Sequence, residues 1–87
     1  MRRVFKYGLE ITDEQSIRAP RDWHPLSVQV QNGEPMLWAL VDDSALEVEH
    51  RVFVHGTGHV VNPSAVAFAG TFQLSDMGLV FHVFVGK

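Results

Sequence analysis

Leu26-Ser27-Val28-Gln29-Val30-Gln31-Asn32-Gly33-Glu34-Pro35-Met36-Leu37-Trp38-Ala39-Leu40-Val41 is the stretch that decides the fold. Two apolar extended runs flank Gln31-Asn32-Gly33-Glu34, and Asn and Gly both tolerate the positive φ that a tight hairpin turn requires. The stretch therefore reads as a β-hairpin. Its second run, Met36 to Val41, is apolar on both faces of an extended chain, which predicts a central strand.

The flanking sequence repeats the signal. In Val4-Phe5-Lys6-Tyr7-Gly8-Leu9-Glu10-Ile11, the residues Phe5, Tyr7, Leu9 and Ile11 share one face, and Lys6, Gly8 and Glu10 share the other. Gln15 to Ala19 can form a short strand ahead of Pro20. Pro20 and Pro25 bracket a predicted loop, Arg21-Asp22-Trp23-His24-Pro25. From Glu47 to His55, Val48, His50, Val52 and Val54 alternate with Glu49, Arg51, Phe53 and His55. Ala65 to Leu74 is extended, with Val66, Phe68, Phe72 and Leu74 expected on one face. Ser75-Asp76-Met77-Gly78 then turns the chain into Leu79 to Val85, which makes a second hairpin. Six or seven short strands, with turn signals every roughly eight to twelve residues and no helical periodicity, predict an all-β domain spanning 1–87. Its architecture is expected to be a small antiparallel β-sandwich or partly open barrel, with Val28, Val30, Trp38, Leu40, Val52, Phe72, Phe81 and Val83 buried.

Composition narrows the function. The chain has 87 residues, 46% of them hydrophobic, no Cys and a net charge of −3. Disulfides and thiolate metal sites are excluded. The acidic balance argues against binding to duplex nucleic acid, which needs a concentrated basic surface. No apolar run approaches the roughly 18–20 residues that cross a bilayer, and no signal-peptide core follows Met1-Arg2-Arg3, so no membrane association and a cytoplasmic location are expected. A core this small with no covalent staple gains stability by assembly, so a homo-oligomer is expected.

Five histidines raise the question of a metal. Only His55 and His59 are close in sequence, and Gly56 and Gly58 between them disfavour the helix that would put both rings on one face, so no metal site is assigned. No nucleophile elbow or catalytic Cys is present, and the aspartates sit where turns favour them. The chain is therefore read as a binding protein without cofactor or catalytic residues. The most suggestive feature is the loop Gly56-Thr57-Gly58-His59. Its glycines allow close backbone approach, and its amides, hydroxyl and imidazole suit a phosphate or ribose. The plain alternative is a tight strand connection. Arg51, on the strand leading into the loop, is the candidate counter-charge. His82 interrupts an apolar strand and either has a buried partner or lines a pocket. Trp23, in its proline-bracketed loop, is the candidate stacking or interface residue.

The runs Lys6 to Gln15, Leu37 to Asp42, Gly56 to His59, Gly70 to Gln73 and Phe81 to Phe84 resemble, in order and over nearly the whole chain, a family of small uncharacterised proteins of tailed bacteriophages and prophages. The resemblance implies a phage origin and an accessory, non-structural role in the host cytoplasm. It assigns no activity and no catalytic residue, and it is weak across Arg18 to His24, so it lends Trp23 no support. A phage accessory protein of this size commonly acts by binding. One reading is sequestration of a small phosphorylated ligand, such as a host nucleotide immune signal. The alternative is a protein-binding inhibitor of a host defence complex, of the anti-CRISPR type, or a minor virion or assembly component.

Overall fold

The computed structural model describes residues 1–74, 76 and 78–86. Within them lie seven strands and no helix: β1 (Arg2–Gly8), β2 (Gln15–Pro20), β3 (His24–Gln31), β4 (Glu34–Asp42), β5 (Glu47–Gly56), β6 (Ala67–Leu74) and β7 (Leu79–Val85). They form a three-stranded sheet in the order β1-β4-β3 and a four-stranded sheet in the order β2-β5-β7-β6, with all pairs antiparallel. The fold is thus a small all-β sandwich. Asn32 and Gly33 make the predicted turn with φ of 53° and 82°, and β4 is the central strand of its sheet as its apolar run requires. Of the turn Ser75 to Gly78, Ser75 and Met77 lie outside the described residues.

The shared core comes from the inward-facing residues of both sheets. Leu37, Ala39 and Val41 on β4 meet Ile17, Ala19, Val52, Val54, Phe72, Val83 and Val85 of the opposite sheet. The sheets close most tightly along the β3–β6 seam. There a Cβ on Gly70 would lie 2.9 Å from the Cβ of Val28 and 3.1 Å from its backbone nitrogen. A register shift between Phe68 and Gly70 accompanies the seam. This bulge corrects the expectation that Phe68 and Phe72 share a face. Phe68 pairs with Phe84 on the outer side, whereas Phe72 pairs with Phe81 on the core side, because one extra residue inverts the alternation.

Four expected core residues are corrected. Val30 is 39% exposed, and Trp38, Leu40 and Phe81 are only half-buried. Trp38 and Leu40 alternate with the core residues of β4 and so face outward, where no third layer of the described residues covers them. Trp23 is corrected in the opposite direction: it is buried. Its ring stacks on His50 with centroids 4.3 Å apart and meets Tyr7 edge-on at 5.7 Å. His50 donates from Nε2 to the Pro20 carbonyl at 2.9 Å. His24 and Pro25 already belong to β3, so the predicted loop is cut to residues 21–23, which fold inward and close one end of the sandwich.

The outer side of the four-stranded sheet holds a second, smaller core. Phe53 is fully buried there and His55 is nearly so, because the connection 57–66 folds back across them. His55 Nε2 accepts the Asn62 N–H at 3.2 Å, and Asn62 Oδ1 accepts the Ser64 N–H at 2.8 Å. The Arg51 guanidinium lies 5.1 Å from the Phe53 ring centroid.

Ion pairs at the surface make stability depend on acid. The Arg51 guanidinium donates to Glu14 at 2.8 Å and holds its carboxyl below the ordinary 4.5. Arg3 donates to Asp43 and lowers its carboxyl, and the Ser44 hydroxyl and N–H lower that of Asp42, both from 3.8. Depressed carboxyls stabilise the folded chain fully above their ordinary values and cease to do so as pH falls through the folded ones. The urea midpoint is therefore expected to decline below about pH 4.5, with an acid limb that shrinks in the Glu14→Gln, Asp43→Asn double variant. An acid limb identical in the double variant would contradict this assignment.

Candidate functional site

The site begins where β5 runs out at Gly56. Thr57 keeps the chain on β7 by donating its N–H to the Val80 carbonyl at 3.3 Å, and His59 closes the turn by donating to the Gly56 carbonyl at 3.1 Å. Between them Gly58 takes a φ of 88°. The His59 imidazole folds back over Gly56, so closely that a Cβ there would lie 3.1 Å from Cε1 and 3.2 Å from Nδ1. Glycine at position 56 is what lets the ring lie down.

On each side of that ring is a cavity. One, of about 530 Å³, is lined by Gly56, Thr57, His59, Gly78, Leu79, Val80 and Phe81. The other, of about 310 Å³, is lined by Ile11, Thr12, Asp13, Val54, Gly56, His59 and Phe81. Gly56, His59 and Phe81 belong to both, so the two cavities are lobes of one cleft with a histidine at its waist. The lining is mainly apolar with a few polar groups, and the volumes fall in the range of small-molecule sites, about 300–1,000 Å³. Asp13 contributes a carboxylate to the smaller lobe, and no Lys or Arg is among the described lining residues.

The Thr57 hydroxyl is held from behind. Its Oγ1 lies 2.7 Å from His82 Nε2, and His82 Nδ1 lies 3.0 Å from Thr71 Oγ1. A neutral imidazole has one N–H and one bare nitrogen, so one threonine donates to the ring and the other accepts from it. The chain Thr57–His82–Thr71 spans the end of β5, β7 and β6 and fixes the Thr57 rotamer at the rim.

The structure thus brings Gly56, Thr57 and His59 to the cleft, with Gly58 at the exposed tip of the turn and His82 behind Thr57. Arg51 stands apart. It lies five residues back along β5 and is engaged with Glu14 and Phe53. Trp23 is at the other end of the sandwich, where it lines a separate cavity of about 480 Å³ with Arg21 and His50. Phe81, Leu79, Ile11 and Asp13 were not legible as site residues. They reach the cleft from strand ends and a loop far from position 56 in sequence, and only the pairing of β5 with β7 and the placement of the 9–14 loop bring them in. Among the described residues, no three His, Asp or Glu side chains are grouped to hold a metal, and no helix is long and apolar enough to cross a membrane.

Fold and site together define a small antiparallel β-sandwich with one bilobed, mainly apolar cleft beside a glycine-histidine turn. The chain belongs to a family defined by a domain of unknown function, DUF7352, which matches residues 1–87. No curated protein and no solved structure gave a match.

Proposed function

We propose that the chain binds and sequesters a small phosphorylated ligand in this cleft and acts by binding, not catalysis. The observation that carries the reading is the His59 ring laid over Gly56 between two ligand-sized lobes, beside a Thr57 hydroxyl fixed by His82. In the bound state His82 carries its proton on Nε2 and donates to Thr57 Oγ1, which leaves the Thr57 hydroxyl proton free, so that the Gly58 N–H, the Thr57 hydroxyl and the His59 ring donate to phosphate oxygens. A planar or apolar portion packs against Phe81 and Leu79. Asp13 repels a second anion, so the phosphate sits on the Thr57 side and donor groups of the ligand face Asp13. Because Arg51 is already paired with Glu14, charge neutralisation falls to an arginine from a neighbouring copy in a homo-oligomer. The resemblance to phage proteins supports an accessory role in an infected host cytoplasm, with a nucleotide immune signal as the ligand.

A ligand that binds only the folded state at a hundredfold excess over its Kd stabilises it by about 2.7 kcal/mol. In a domain of this size that raises Tm by about 10 °C or more. A panel of linear and cyclic nucleotides, with the matching nucleosides as controls, is expected to contain members that shift Tm while their nucleosides do not. Thr57→Ala and His59→Ala should remove the shift and leave the ligand-free Tm within a few degrees, since both side chains are exposed. A panel without any phosphate-dependent shift would overturn the reading.

A further inference from the structure

A second feature, independent of the cleft, is the edge strand β1. It pairs with β4 without interruption from Arg2↔Asp42 to Gly8↔Met36, and it contains no Pro and no bulge. Every residue in it except Tyr7 is exposed, including Val4 at 54% and Phe5 at 37%. Two of the other sheet edges are obstructed. β3 carries Pro25 and a register shift between Pro25 and Ser27, β6 carries its own shift, and the two pack together at Gly70 and Val28. β2 is shorter and ends in Pro20.

The ladder also fixes which backbone groups of β1 are free. Leu9 donates its N–H to the Pro35 carbonyl, and Met1 accepts the Asp43 N–H through its carbonyl, so the odd-numbered residues bond to β4. Antiparallel bonding alternates, and the N–H and C=O of Arg2, Val4, Lys6 and Gly8 therefore point to the open edge. Side-chain charge then selects the partner. Arg2, Arg3 and Lys6 are three of the seven Lys and Arg of a chain whose net charge is −3. Arg3 is already paired with Asp43, but pairing β1 with a second β1 would still bring two Arg2 and two Lys6 side chains into one short ladder, which like-charge repulsion opposes. An acidic strand has no such penalty. We infer that β1 is the docking edge for an extended, acidic segment of another protein, which adds to the three-stranded sheet as a fourth strand.

The test uses the full chain and a fluorescein-labelled seven-residue peptide alternating Glu and Val, with a Lys and Val counterpart, read by anisotropy. The acidic peptide is expected to bind and the basic one not, with affinity falling about tenfold or more as salt rises from about 50 to 300 mM. Val4→Pro removes only an outward N–H, which an edge strand tolerates, so it should abolish binding and leave the β1–β4 ladder intact. The Arg2→Glu, Lys6→Glu double variant should exchange the preference to the basic peptide, and it decides the matter if Val4→Pro does not fold. Equal or absent binding of the two peptides, or undiminished binding to folded Val4→Pro, would overturn the inference. So would a homodimer that Val4→Pro dissociates, because the edge would then belong to a second copy.

Discussion

Phe53→Ala is expected to cost about 3–5 kcal/mol of folding stability, the range for truncating a buried large aromatic, and more than Trp38→Ala. Phe53 is fully buried, although it lies on the side of β5 away from the shared core. The cover is the connection 57–66 and the end of β7. A Cβ on Gly86 would lie 3.2 Å from Phe53 Cε2 and 3.1 Å from the Ser64 carbonyl oxygen, so little room remains for the site to collapse after truncation. The variant also removes the surface on which the Arg51 guanidinium rests. Trp38, by contrast, is only half-buried on an uncovered face, and its truncation leaves an indentation instead of a cavity. Urea denaturation of both variants measures the difference. A loss for Trp38→Ala equal to or larger than that for Phe53→Ala would mean that the second core is not where the structure places it.

Gly70→Ala is expected to destabilise by about 1–3 kcal/mol, with Gly70→Val worse. At a site with free space the same change would stabilise by roughly 0.4–1 kcal/mol, because alanine restricts the unfolded chain. Here the added carbon meets Val28 Cβ at 2.9 Å and its backbone nitrogen at 3.1 Å. The nitrogen belongs to a strand paired with β4 and cannot move without disturbing Val28↔Leu37. Overpacking therefore outweighs the entropic gain. Thermal or urea unfolding of Gly70→Ala settles the sign, and an increase in stability would show that the β3–β6 seam is looser than described.

These two positions also show where the sequence was readable. Alternation and the Asn32-Gly33 turn were enough to place the strands, the central position of β4 and the valine face of β5, since those features are set by residues near one another in the chain. Burial was harder to read, because it depends on what covers a face. Trp38 and Leu40 sit in an apolar run that ends up with one uncovered side. Phe53 sits opposite the valines and is sealed by a connection whose path no local pattern reveals. Trp23 is turned inward by contacts with His50 and Tyr7, each more than fifteen residues away. The bulge at the β3–β6 seam defeats parity for Phe68 because the alternation holds only while the ladder is regular. In the site, the Gly56 to His59 turn was visible as a run of special residues, whereas Arg51 was placed by nearness in sequence and proves to be committed to Glu14.

The central claim is that the cleft beside His59 takes a small phosphorylated ligand, and backbone amide chemical shifts of the ¹⁵N-labelled chain during titration with a nucleotide test it most directly. Saturable shifts are expected at Thr57, Gly58 and His59 and at Leu79 to Phe81, which line or border the larger lobe. The matching nucleoside should perturb the Leu79 to Phe81 amides more than those of Gly58 and His59, since it retains the planar portion and lacks the phosphate. Titrations with a full nucleotide panel that leave the Gly58 and His59 amides unmoved would contradict the account.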